Sequence, residues 1–327
     1  MIPKNWLEEA KQRIASHIKL TPLTFDPDQQ LYIKWENHQV THSFKDRGAL
    51  NKVLSLQSWE CERGLVTASA GNHGQGVALA GKIVGAPVNI FVSENAVANK
   101  IEAMRKLGAD ITQVAGGYHE AEEAGLAYAA NHDVTWVSPY NDGQVVAGQA
   151  TLGMEILEAL PHLPLSTWLV PVGGGGLISG IGAAIKDNSN MAPPAPIRNL
   201  IGVQSDASPF MHAIFFTGSQ ENCQEKPSLA DGLSGSVEEG SLTIPLVKKF
   251  VDDFILVNEE EIVEAIRFAW REYHEVIEGS AAVGLAAALS GKVKARPAIV
   301  VISGGNIQPE LHDRIINSAA GNTHHKG

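Results

Sequence analysis

The 327-residue chain is 44% hydrophobic and 19% charged, the balance of an ordinary soluble globular protein. It is longer than most single small domains, so two lobes are expected. Its net charge of -11 disfavours nucleic acid and anionic membrane as partners, because phosphate contacts need clustered Lys and Arg.

The first nine residues carry early acids and no apolar core, so no signal peptide is expected there. No run reaches the roughly 20 apolar residues of a membrane span. Residues 5–19 read as an amphipathic helix with Trp6, Leu7, Ile14 and Ile18 on one face, stopped by Thr21-Pro22. The short apolar strand Leu31-Tyr32-Ile33-Lys34-Trp35 follows. It leads into His42-Ser43-Phe44-Lys45-Asp46-Arg47-Gly48-Ala49 and then helical spacing at Leu50, Val53 and Leu54. A lysine at such a helix start can be shielded from water, which disfavours the ammonium and frees the amine for Schiff-base chemistry. A solvated lysine beside ordinary helix-start charges fits the octapeptide equally well. Cys61 and Cys223 are the two cysteines and have no metal-ligand spacing. A reduced, cytosolic compartment fits them, with one disulfide as the alternative.

From Gly64 to Ala115 short apolar runs alternate with helical stretches: a strand at 65–68, a helix over 75–84, a strand at 87–92, a helix over 97–107 and a strand at 110–114. Such alternation predicts parallel βαβ units. A helix near 119–131 and a run at 134–137 complete one α/β lobe. A second series has a helix from 144 to 160, a run at 168–172, a helix to 185 and a strand at 200–203. A Pro-rich surface connector is expected over 188–199, and a long functional or capping loop over 218–242. Then come a strand at 254–257, helices over 259–273 and 280–290, and a buried strand at 298–302. The tail with His324 and His325 reads as a frayed, solvated end.

Three turns could carry chemistry. Ser69-Ala70-Gly71-Asn72-His73-Gly74-Gln75-Gly76 joins a strand to a helix, where backbone N–H groups can receive a carboxylate or phosphate; a plain Gly-rich turn is the competing account. Gly173-Gly174-Gly175-Gly176, followed by Leu177, lets N–H groups converge on a phosphate. A dinucleotide site fits less well, because the G-x-G-x-x-G spacing is absent. Ser303-Gly304-Gly305-Asn306 ends the last strand, where ligands of open α/β sheets sit. Asn306 also suits a helix N-cap before Pro309. His42, His73, His119 and His274 form no metal-binding pattern, and Glu259-Glu260-Glu261 reads as a helix first turn answering the dipole.

Four elements in chain order, Ser43-Phe44-Lys45, Ser69 to Gly74, Gly173 to Leu177, and Ser303 to Asn306, resemble the fold-type II pyridoxal-phosphate enzymes over nearly the whole chain. The likeness is to the threonine/serine ammonia-lyase (dehydratase) and serine racemase group. It implies an α/β fold, tryptophan synthase beta-like, of two open, twisted, mostly parallel sheet lobes with pyridoxal 5'-phosphate in the cleft between them. The large lobe would comprise 1–47 and 145–327, and a small closing lobe 48–144.

By this resemblance Lys45 would carry the cofactor as a Schiff base and remove the substrate α-proton. Phe44 would pack beside the ring, and Asn72 would bond its phenolic oxygen. Gly173, Gly174, Gly175, Gly176 and Leu177 would hold the phosphate, which in the family's proposed mechanism protonates the departing hydroxyl. Ser303 would meet the pyridine nitrogen, with Glu278 near the ring. Ser69, Ala70, Gly71, Asn72 and His73 would line the substrate-carboxylate turn. A neutral Ser303 hydroxyl leaves the ring a weaker electron sink, which favours prompt elimination.

Racemases of the group resemble Ser-Ser-Gly-Asn-His, and Ala70 replaces the second serine, the base on the opposite face. Gln204 and Phe210 stand where the group's metal site has acids, so no metal is expected. The biosynthetic form's C-terminal regulatory domain is not seen, which favours a catabolic or specialised enzyme. The implied activity is β-elimination from L-threonine or L-serine to a 2-oxo acid and ammonia, in a cytoplasmic homodimer. The alternatives are a dehydratase for 3-hydroxyaspartate, phenylserine or a hydroxyectoine-pathway intermediate, a serine racemase, a threonine synthase, a cysteine synthase, and a cofactor-binding regulatory protein without turnover. The loop over 205–240 is expected to decide among substrates.

Overall fold

The structure is a computed structural model that describes residues 2–161, 163, 165–186 and 197–318. The chain opens with α1 (Lys4–Ile14), β1 (Leu23–Asp26), β2 (Leu31–Trp35), α2 (Lys45–Leu54) and α3 (Ser58–Arg63). An alternating series follows: β3 (Leu65–Ala68), α4 (Asn72–Val84), β4 (Val88–Ser93), α5 (Ala98–Lys106), β5 (Asp110–Val114), α6 (Tyr118–His132) and β6 (Thr135–Trp136). The third stretch is α7 (Gly143–Ala159), β7 (Leu165–Pro171), α8 (Gly176–Lys186), β8 (Ile197–Ser205), α9 (Phe210–Thr217) and α10 (Thr243–Phe250). The last elements are β9 (Asp253–Val257), α11 (Glu259–Tyr273), α12 (Gly279–Leu289), β10 (Ala298–Ile302) and α13 (Pro309–Asn317).

The strands form two sheets, a six-stranded one in the order β1-β2-β10-β7-β8-β9 and a four-stranded one in the order β5-β4-β3-β6. Among the strands of the described residues only the β1–β2 pair is antiparallel. The strand Ala298–Ile302 is buried at every position, as expected of a central parallel strand covered on both faces. Helix α12 supplies a mostly small and apolar cover, with Ala281, Ala282, Val283, Leu285 and Ala286 packed into the core. The crossings expected near 48 and 145 fall inside α2 and α7, which pack against one another and belong to neither sheet. Among the described residues no helix is long and apolar enough to cross a membrane.

Several boundaries differ from the sequence expectation. Helix α1 ends at Ile14, not near residue 19; His17 and Ile18 N–H groups both donate to the Ile14 carbonyl, so a turn keeps Ile18 against the core. Strand β8 takes in Ile197–Ser205, so residues 197–199 of the expected connector pair with β7. The rest of that connector to Pro196, beyond Asp187, and the histidine tail lie outside the described residues. Asn306 caps no helix: α13 has Gln308 at its N-cap, and the Asn306 amide is used elsewhere. The Glu259-Glu260-Glu261 expectation agrees with a capping box. Asn258 Oδ1 accepts from Glu261 N at 2.9 Å, and Glu261 Oε2 accepts from Asn258 N at 2.8 Å. Glu259 also accepts from Leu229 N at 2.8 Å, which pins the chain where it runs toward the cleft.

Helix α2 is fixed by a buried ion network. Arg47 donates from Nε and Nη2 to both oxygens of Glu36, at 2.7 and 2.9 Å, and from Nη1 to Glu155 at 2.6 Å. Lys34 Nζ donates to Glu155 at 2.7 Å and to the Thr21 carbonyl at 2.8 Å. Arg47 and Glu36 have no exposed surface. Burial opposes the Glu36 charge, but Arg47 and Lys34 outweigh it and hold the carboxyl below the usual glutamate range. Its stabilisation is therefore present above the unfolded-chain value and is lost as pH falls through the lowered folded value. Replacing Arg47 by Ala leaves Glu36 buried without its cation and Glu155 with Lys34 alone, and is expected to cost about 3–5 kcal/mol. Urea unfolding measures it; an unchanged midpoint would show that the network does not anchor α2.

Candidate active site

Three turns meet at the carboxyl ends of parallel strands. The Ser69 turn follows β3, the glycine turn follows β7, and Ser303 follows β10. In open α/β sheets this edge is where crevices form. Phe44 and Lys45 reach it from the other side, because Phe44 N donates to the Ser303 carbonyl at 3.0 Å and Ser43 bridges Gly304. The segment before α2 is held by Asp46, which accepts from Thr41 N at 2.8 Å and from the Thr41 hydroxyl. Burial pushes the Asp46 carboxyl up to about 6, against the lowering effect of those bonds.

Lys45 Nζ donates to the Pro139 carbonyl at 2.9 Å and lies 5.3 Å from the centre of the Phe44 ring. Burial pulls its pKa down to about 8, and the Glu278 carboxylate partly opposes that shift. Lys45 is half-buried, and a backbone carbonyl rather than a carboxylate receives its amine. Glu278 is itself pushed up to about 7 by burial and by the Asp231 charge. It accepts from Asn72 Nδ2 at 2.7 Å, and Asn72 Oδ1 accepts from Asn306 Nδ2 at 2.7 Å. Asn306 Nδ2 also reaches the Thr41 carbonyl at 2.9 Å. This chain of amides joins α4, β10 and the segment before α2. Lys100 and Asp231 face each other across the same cleft at 3.1 Å.

The structure thus brings Phe44, Lys45, Asn72, Glu278 and Ser303 to one place. Ser69, Ala70 and Gly71 form the turn above α4, where Ser69 Oγ accepts from Gly71 N at 3.2 Å and a side chain at Gly71 would meet open space. His73 departs from expectation. Its ring is buried and directed away, with Nε2 donating to the Val137 carbonyl at 2.9 Å. Burial and the nearby Lys45 charge drive its pKa down to about 3, so the ring is neutral and its main chain alone belongs to the turn. Gln204, which stands where an acid would be needed for a metal, accepts from His212 N at 2.7 Å. The described residues hold no group of three or more His, Cys, Asp or Glu suited to a metal.

Gly173, Gly174, Gly175, Gly176 and Leu177 form the turn into α8. The N–H groups of Gly173, Gly174 and Gly175 have no acceptor among the described residues, and the first turn of α8 adds the free donors of any helix start. A Cβ at Gly174 would fall 2.5 Å from carbons of the Tyr140 ring, so the close approach of Tyr140 requires glycine there. Tyr140 OH accepts from Glu238 N at 2.9 Å and ties the loop before α10 to this turn. Sequence reasoning missed Pro139, Tyr140 and Asp231. Nothing in the local pattern marks them, because their partners lie many residues away.

A family described as pyridoxal-phosphate dependent enzyme matches residues 14–305. An L-threonine ammonia-lyase of Thermotoga maritima is 43% identical over 324 residues, covering 97% of this chain and 79% of the relative. The structure of maize serine racemase superposes with a TM-score of 0.86 at 28% identity, covering 98% of each chain. That of the processed threonine deaminase isoform 2 of Solanum lycopersicum gives 0.84 at 28% identity, covering 98% of this chain and 94% of the other. The chain belongs to the pyridoxal-phosphate-dependent enzymes, with the fold-type II architecture of the threonine ammonia-lyase and serine racemase group.

Proposed function

We propose that this chain is an ammonia-lyase that eliminates the β-hydroxyl of L-threonine, and of L-serine as a second substrate, to release a 2-oxo acid and ammonia. The observation that carries this reading is the desolvated Lys45 amine, set between the glycine turn and the Ser69–Asn72 turn. The similarity to a threonine ammonia-lyase over nearly the whole chain supports it.

The residues fit pyridoxal phosphate. The unpaired N–H groups of Gly173, Gly174 and Gly175 match a phosphate dianion, and the Lys45 amine matches an aldehyde carbon. When bound, the cofactor supplies a conjugated ring over which negative charge from the substrate Cα can spread. Lys45 would anchor it, and its Nζ would take the substrate Cα proton; a pKa of about 8 suits an amine that accepts and returns a proton. Asn72 Nδ2 keeps a second N–H for the phenolic oxygen while the first goes to Glu278. Phe44 would pack beside the ring, and Ser303 would offer a neutral hydroxyl to the pyridine nitrogen. Gly176 and Leu177 complete the phosphate turn. Ser69, Ala70, Gly71 and Asn72, with the His73 main chain, receive the substrate carboxylate. Ala70 holds no proton on the opposite face, so elimination outruns racemisation.

In this reading residues 48–144 close over 1–47 and 145–327 and exclude water. The protein works as a cytoplasmic homodimer, and the free thiols of Cys61 and Cys223 accord with a reducing compartment.

A panel of L-hydroxy amino acids tests the function: 2-oxo acid is expected from threonine and serine, with no D-enantiomer by chiral chromatography. Lys45→Ala is expected to abolish release while leaving the unfolding transition in place; retained turnover would remove Lys45 from its role. A separate expectation concerns charge. Amine labelling of cofactor-free Lys45 should be half complete near pH 8, and Glu278→Gln, which removes a charge favouring the ammonium, should move that midpoint down. An unchanged or raised midpoint would contradict the electrostatic coupling.

A further inference from the structure

One hydroxyl outside the predicted site bonds to the peptide at the heart of the glycine turn. Thr243, the first residue of α10, is fully buried, and its Oγ1 donates to the Gly174 carbonyl at 2.6 Å. The hydroxyl has a single hydrogen, so its contact with Ser241 Oγ at 2.8 Å is one in which Ser241 donates and Thr243 accepts. Ser241 is also buried, and its Oγ accepts from Thr243 N at 3.3 Å. Between them, Leu242 N donates to Asn141 Oδ1 at 2.9 Å and holds this segment to the residue after Tyr140.

In a trans peptide the carbonyl and the following N–H point in opposite directions. Fixing the Gly174 carbonyl on Thr243 therefore turns the Gly175 N–H to the opposite face of the turn. Gly175 has φ +86°, and a Cβ there would lie 3.2 Å from Thr243 Cβ and 2.9 Å from Met211 Cε. The peptide is thus seated on Thr243 from below, in a conformation glycine adopts without strain. An unsupported Gly-Gly peptide could rotate and lose that donor.

We infer that Thr243, backed by Ser241, is a positioning residue that orients the Gly174–Gly175 peptide so that its N–H faces the cofactor phosphate. The inference rests on the reading of Gly173–Leu177 as the phosphate turn. It predicts an effect confined to ligands that carry the phosphate, because Thr243 acts through the Gly174 carbonyl.

Equilibrium dialysis of the full chain with pyridoxal 5'-phosphate and with pyridoxal, which lacks the phosphate, separates the two claims. Thr243→Val keeps the shape and removes the donor. It should weaken pyridoxal 5'-phosphate about tenfold, the scale of one net hydrogen bond, leave pyridoxal unchanged, and be rescued by Thr243→Ser. Should Thr243→Val not fold, Ser241→Ala is expected to act in the same direction by about threefold. A wild-type protein with no preference for the phosphorylated ligand would overturn the phosphate turn itself. A wild-type preference that survives intact in Thr243→Val, or in Ser241→Ala, would overturn the role of Thr243 alone.

Discussion

The buried guanidinium of Arg47 constrains everything at the cleft. It joins the residue after β2, through Glu36, to α7, through Glu155, while sitting in the first turn of α2. A charge pair taken out of water is tolerated only where its hydrogen bonds are made in full, and here both carboxylates and Lys34 complete the set. Such a network specifies orientation, because any rotation of α2 breaks several charged bonds at once. Three successive residues then face three ways. Arg47 enters the core, Asp46 holds the preceding turn through Thr41, and Lys45 reaches the Pro139 carbonyl.

The cleft behind that amine favours neutral groups. Lys45 is pulled down toward 8, Glu278 pushed up toward 7 and His73 lowered to about 3, each chiefly by loss of water. Bringing a lysine and a glutamate toward neutrality near the same pH lets an amine accept and return a proton without a large free-energy step. The amide chain Glu278–Asn72–Asn306 couples this electrostatic setting to the turn above α4. Closure of the Ser69 turn would thus be felt at the carboxylate nearest Lys45.

Much of this was legible in the sequence, for local reasons. The central strand Ala298–Ile302 reads as an unbroken apolar run because both its faces are covered, and α11 reads from its acids and cap. The motif order of Lys45, Asn72, the glycines and Ser303 identified the family because four separated turns matched together. What failed was long-range. Asn306 follows a local capping pattern, yet its amide goes to Asn72, 234 residues away in sequence. His73 lies in a turn motif but faces Val137, since periodicity does not say which residue of a helix start meets the core. Thr243 carried no signal, because its partner is a carbonyl that any residue possesses.

The proposed function requires Lys45 to be the amine that anchors the cofactor. Loading the protein with pyridoxal 5'-phosphate, reducing it with borohydride and mapping the peptides by mass spectrometry tests it directly. A pyridoxyl adduct is expected on the peptide containing Lys45, stoichiometric with protein. An adduct on another lysine, such as Lys100 or Lys34, or no adduct at all, would contradict it.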